Sequence, residues 1–354
     1  MHHDVDLSQV HSFLRSPEDL LWIDLYDVGN DELQYVADIF NFHPLAIEDC
    51  LHVSPRAKVD DYENYYFFVI HALRYNEESD NEITTLELNV FLGSNYIVTI
   101  HKKPMPSIGR IAAVSLHSKK YMNRGPDFLL YSIVDGITDE YFPIMDRISA
   151  RIDELEDEMY EHQMEAITEE FLALKRTIIL IRRVILPQKR IFAPVNGTML
   201  FKINEENIPF YIDLVDHLER LVDSAETSRD LVNGALDTYY SIVSAKTTET
   251  MQILTIISTI MMPLTFITGL MGMNVHLPGQ DSPYSFWAIM GILFTVIALM
   301  LLYFKRKRWL GRNQPVHPYP ILLSKSGVRK AFGSRSRMET VVDASALLLE
   351  PLIV

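Results

Sequence analysis

An α/β domain followed by a long helical stalk and two membrane-spanning helices is the architecture this sequence predicts, on three observations. No charged residue lies between Thr250 and Gln280, or between Ser282 and Tyr303. Each stretch holds the roughly 20 mostly apolar residues with which an α-helix crosses about 30 Å of hydrocarbon. Short β-rich runs alternate with helical ones ahead of residue 120. Between these parts, helix formers run from Pro209 to Pro263 with no other proline.

Residues 1–125 are expected to form the α/β domain. "YYFFVIHALRY" (65–75) and "LELNVFLGSNYIVTIHK" (86–102) read as strands, and Gly93-Ser94-Asn95 reads as a hairpin turn. "DELQYVADIFNF" (31–42) reads as a helix ended by His43-Pro44. Residues 126–207 turn helical and charged: positions 153–170 carry nine acids and no Lys or Arg. "FLALKRTIILIRRVILPQKR" (171–190) is basic and apolar, with Pro187 interrupting it. An acidic helix folded back on a basic one makes an αα-hairpin. A solvated helix face accounts for the acids more simply than nine metal ligands do.

Residues 208–273 are expected as one helix that becomes the first span from about residue 251. Pro263 falls inside that span, where neighbouring helices re-satisfy the backbone. Residues 274–284 make an outer loop, 285–304 the second span, and 305–354 a basic tail, disordered or lipid-facing at its apolar end. Ten Lys or Arg and no acid lie between Lys305 and Met338. The positive-inside rule places that end in the cytosol, and two spans return the N-terminal domain to the same side. The expected product is a two-span protein of a plasma or inner membrane with both termini cytosolic.

The formal net charge of −15 disfavours nucleic acid as a partner, since phosphates require Lys and Arg. Cys50 is the single cysteine, which fits a reducing compartment and excludes a disulfide framework. No nucleotide-binding motif and no nucleophile–base constellation stands out, so an enzyme is not expected.

Along the stalk, every third or fourth residue in alternation reads Asp223, Thr227, Asp230, Gly234, Asp237, Ser241, Ser244, Thr248, Met251, Thr255, Ser258, Met262, Thr265 and Gly269. Their mean spacing of about 3.5 residues keeps them on one slowly supercoiling face. Every member is small, polar, acidic or methionine. Two readings fit: a close-packing seam of small residues, or the wall of a pore. The seam accounts well for Thr255 and Ser258, but poorly for Asp237 and for the stripe's long extension outside the membrane. One helix encloses no channel, so the pore reading demands a homo-oligomer in which each stripe residue becomes a ring. Met251 and Met262 would then be apolar constrictions that gate by dewetting.

Gly272-Met273-Asn274, at the end of the first span, resembles the signature of the CorA family of magnesium transporters. "KTTETMQILTIISTIMMPLTFITGLMGMN" (246–274) and the exit "FKRKRWL" (304–310) are similar to the family's membrane part. "HPLAIEDCLHVSPRAKVDDYENYYFFV" (43–69) and "YIDLVDHLERLVDSAETSRDLVNGALD" (211–237) resemble its cytosolic part. The resemblance implies a CorA-like homopentameric channel with the stalk helix lining the pore and Asn274 at the outer mouth. It implies pore and gate roles for Asp237, Thr248, Met251, Leu254, Thr255, Ser258, Met262 and Thr265. It also implies regulatory Mg²⁺ between subunits at Glu48, Asp49 and Asp213, with His217 nearby. For Asp213 a first-turn helix-dipole role is the competing reading.

The chain departs from the family pattern in three places. Met271 stands where Tyr is common before Gly-Met-Asn, Thr248 where Asn is common, and the outer loop carries only Asp281 as an acid. The expected function is membrane-potential-driven Mg²⁺ uptake. Zn²⁺, Co²⁺ or Ni²⁺ transport on the same fold is one alternative, and a non-conducting, membrane-anchored metal sensor or scaffold is another.

Overall fold

The computed structural model describes residues 10–14, 19–75, 83–118, 121–159, 164–195, 197–273, 284–307 and 309. The protein divides into two units, Met1–Tyr240 and Ser241–Val354. Asn274 and residues 275–283 of the expected outer loop lie outside the described residues, as does the tail from 310 onward.

The first unit is built on a mixed sheet of five strands in the order β1-β5-β4-β3-β2. These are β1 (Leu21–Tyr26), β2 (Lys58–Tyr62), β3 (Tyr65–Tyr75), β4 (Ile83–Gly93) and β5 (Tyr96–His101). β1 pairs parallel with β5, and the other neighbours are antiparallel. β3 is mostly apolar on both faces because both are covered, whereas β4 turns Leu86, Leu88, Val90 and Leu92 to one side and Thr85, Glu87, Asn89 and Phe91 to the other. Tyr65, Phe67 and Val69 of β3 enter one core with α2 (Asn30–Phe40) and α3 (Pro44–Leu51). Phe68, Ile70 and Ala72 point the other way, into a larger core with α4 (Pro106–His117), α5 (Pro126–Asp139), α6 (Tyr141–Glu158), α7 (Met164–Phe192) and the start of α8 (Ile208–Met271). A short α1 (Val10–Leu14) precedes β1.

Local chemistry fixes the ends of these elements. The β4–β5 turn needs its glycine, because a Cβ on Gly93 would lie 2.1 Å from the Tyr96 ring. His43 caps α3 by accepting the Leu45 N–H on Nδ1 at 3.2 Å, and Pro44 follows at the first helical position. The acidic run does not occupy one helix. Asp153–Glu158 close α6 and Glu165–Glu170 open α7, with Arg151 paired to Glu154 and Glu158 on its own helix and to Glu170 on α7. Pro187 does not interrupt α7, which continues to Phe192. The buried Ile178, Ile181, Ile185 and Phe192 hold its inner face against the core, outweighing the one backbone bond the proline forgoes.

The second unit contains the C-terminal part of α8, together with α9 (Ser285–Arg306). Both helices are long and apolar enough to cross a membrane. α8 continues through Pro263. Phe304 is buried and stacks on Trp309 with ring centroids 5.6 Å apart, and Gln252 donates from Nε2 to the Trp309 carbonyl.

Candidate ion path and metal centre

α8 presents distinct faces in both units. In the first unit Leu214, Leu218, Leu221, Val232 and Leu236 are buried in the core, while Asp223, Thr227, Asp230, Gly234 and Asp237 are all exposed. In the second unit Gln252, Ile256, Ile260, Pro263 and Ile267 are half-buried. Ser241, Ser244, Thr248, Met251, Thr255, Ser258, Met262, Thr265 and Gly269 are exposed, as is Leu254. Ile253, Ile257 and Phe266 are exposed too, so exposure alone does not mark the stripe. Its chemistry does: an aliphatic and aromatic face suits lipid, and a hydroxyl and thioether face does not.

The threonine hydroxyls have a defined polarity. Thr248 donates to the Ser244 carbonyl at 2.8 Å, Thr255 to Met251 at 2.7 Å, and Thr227 to Asp223 at 2.9 Å. A hydroxyl that spends its proton on its own helix keeps only lone pairs to offer outward. Such a face accepts hydrogen bonds from the water shell of a cation.

α8 ends with the Gly272 N–H donating to the Thr268 carbonyl at 3.0 Å. Gly272 and Met273 are exposed. Gly272 is not among the glycines with positive φ, so this end is no left-handed cap.

A second cluster lies between α5 and α8. The Asp127 carboxylate accepts the Asn204 N–H, the Asn204 Nδ2 and the Asn207 Nδ2, each at 2.9 Å, and Tyr211 donates to the Asp127 carbonyl at 2.7 Å. This clamp sets the register of the two helices. About two turns further along both, Asp135, Asp139 and His217 place one ligand atom each within 4.8 Å of one another. His217 Nδ1 stands 3.6 Å from Asp135 Oδ1, and both atoms are buried with no hydrogen-bond partner. Two ligands about 2.1 Å from one ion at an octahedral angle are about 3 Å apart, so the pair is close to ligating distance. Asp213 lies 3.6 Å from the other nitrogen, Nε2. Burial pushes the Asp135 carboxyl above the usual carboxylate range, Asp139 pushes it further, and His217 opposes them.

Of the four regulatory residues expected from sequence, the protomer thus brings Asp213 and His217 together. Glu48 is exposed on α3, and Asp49 is occupied by Lys58 at 2.7 Å, which also holds Asp60 at 2.6 Å. Neither joins the α5–α8 cluster. Sequence reasoning missed Asp135 and Asp139, although acids four residues apart on one helix do share a face.

The model of the CorA-like Mg²⁺ transporter protein family matches residues 17–306. The cobalt/magnesium transport protein CorA of Thermotoga maritima is 34% identical over 297 residues, covering 82% of this chain and 83% of that protein. The complete structure of the CorA magnesium transporter from Methanocaldococcus jannaschii superposes with a TM-score of 0.73 at 27% identity, over 82% of this chain and 91% of that one. The full-length CmaX structure shares the fold, with a TM-score of 0.67 at 21% identity over 87% of this chain and 91% of that one.

Proposed function

The chain belongs to the CorA-like Mg²⁺ transporter family, and from that premise we propose that it is a homo-oligomeric, pentameric channel for Mg²⁺ uptake. Hydrated Mg²⁺ meets a ring of Asn274 amides at the outer mouth. Mg²⁺ gives up its water reluctantly, so neutral oxygens that read the shell select it without trapping it. The ion then passes Thr265, Met262, Ser258, Thr255, Leu254, Met251 and Thr248, and leaves past Asp237. The membrane potential drives it: two charges through 100 mV release about 4.6 kcal/mol. Both termini are cytosolic.

The observation that carries this reading is the line of exposed hydroxyls and methionines along α8, of which Thr248 and Thr255 donate to their own helix and keep lone pairs outward. A membrane anchor has no use for it. Regulation is by linkage: cytosolic Mg²⁺ bound at Glu48, Asp49 and Asp213 between subunits, and beside Asp135, Asp139 and His217, favours a closed state. Its loss lets the acids repel, and the pore widens at Met251 and Met262.

One observation favours a second reading. An imidazole beside two carboxylates is a donor set that suits Co²⁺, Ni²⁺ or Zn²⁺ better than Mg²⁺, so a first-row metal is an alternative cargo or regulator.

Proteoliposome flux tests the proposal. Wild type is expected to take up Mg²⁺ ahead of Zn²⁺, and Asn274→Ala to abolish uptake. Undiminished Mg²⁺ flux in Asn274→Ala contradicts the selectivity ring, and absence of flux in wild type supports the sensor alternative.

A further inference from the structure

A groove of about 430 Å³ on the first unit, lined by α7 and the segment after α3, carries four arginines and no acid. Arg182, Arg183 and Arg190 come from α7 and Arg56 from the other side, with Leu186 and Ile191 contributing apolar wall. We propose that this groove binds a polyphosphate-type anion, independently of ion conduction.

The chain has 47 acids against 32 Lys and Arg, so counter-charges are abundant. Lys58, Arg110, Arg151, Lys189 and Arg229 each pair with a carboxylate, whereas Arg147, Arg176 and Arg220 have no ion pair among the described residues, so what sets the groove apart is that its arginines line one concavity without an acid. In the groove only Arg182 is paired, to Glu226 at 2.5 Å, and its Nε is buried with no hydrogen-bond partner. Arg56, Arg183 and Arg190 are exposed and have no ion pair among the described residues. Arg56, Arg183 and Arg190 leave three uncompensated like charges around one concavity, and a bound anion turns their mutual repulsion into attraction.

The choice of arginine narrows the ligand, since a planar guanidinium grips phosphate through two parallel hydrogen bonds. Arg183 and Arg190 are seven residues apart on α7, a separation of about 10 Å along the axis. Side chains converging from that distance match a chain of linked phosphates better than a single one. The apolar wall accepts an uncharged body attached to them.

Calorimetry on the full-length protein in zwitterionic nanodiscs, in Mg²⁺-free buffer, tests this with inorganic tripolyphosphate. Saturable binding of one anion per chain is expected, with orthophosphate weaker by about tenfold or more. The double variant Arg183→Ala/Arg190→Ala should weaken tripolyphosphate binding by about 100-fold. Arg176→Ala, an exposed change on α7 outside the groove, should leave it unchanged. Repeating the titration in nanodiscs containing anionic phospholipid separates two sources of the same chemistry: competition assigns a lipid headgroup, and unchanged affinity a soluble polyphosphate. No saturable binding to wild type, or equal weakening by Arg176→Ala, overturns the proposal. So does a double variant that changes the oligomer's mass while wild type binds no phosphate, which makes the groove a contact between copies.

Discussion

Thr255 and Met262 treat water in opposite ways. Thr255 donates its hydroxyl hydrogen bond to the Met251 carbonyl and turns lone pairs outward, whereas Met262 is 76% exposed and its side chain offers water almost nothing. The account therefore expects Thr255→Val, which removes the oxygen at similar size, to lower Mg²⁺ flux by about tenfold in liposomes. Thr255→Ser should retain most of it, whereas a packing seam would suffer as much from the loss of the methyl. Asp135 supplies a second prediction. Its folded pKa is raised, so its carboxylate costs stability, a cost fully present above that pKa and lost as pH falls toward the ordinary value of 3.8. Asp135→Asn should stabilise the metal-free protein at neutral pH, with the gain vanishing in acid. It should also weaken the affinity for Mg²⁺ or Co²⁺ at least about tenfold, and with it the stabilisation by added metal. A metal-induced shift in thermal midpoint that survives the substitution removes Asp135 from the site.

At the scale of elements, what the sequence made legible was whatever repeats. β3 was readable to its ends because a mostly apolar run of eleven residues bounded by turn signals suits a strand covered on both faces. The stripe on α8 was readable because its period persists through both units. Single signals misled: Pro187 suggests a break, but packing of the inner face of α7 overrides it, and the acidic run reads as one helix although its acids are shared between the end of α6 and the start of α7. The Asp135–Asp139–His217 cluster was invisible because it depends on the register of α5 along α8, which the Asp127 clamp sets through residues about 80 positions away. The β4–β5 turn offers an element-scale test. Gly93→Ala pushes a methyl into the Tyr96 ring and should cost about 1–3 kcal/mol in chemical denaturation. A change within error would mean the turn relaxes freely.

At the scale of the whole molecule, one helix encloses no conduit, so the proposed conduction is expected only of an assembly of copies. Its driving force is checkable without mutation. With the potential clamped at 100 mV, inside negative, equilibrium Mg²⁺ accumulation should exceed that at zero potential by about three orders of magnitude. Accumulation indifferent to potential would require another energy source. The most direct test of the central claim is a structure of the assembled protein in lipid, viewed along its symmetry axis. The account predicts five copies with Thr255, Ser258 and Met262 of α8 facing a common water-filled axis. Those residues facing lipid or packed against α9, with no conduit between the copies, would contradict it.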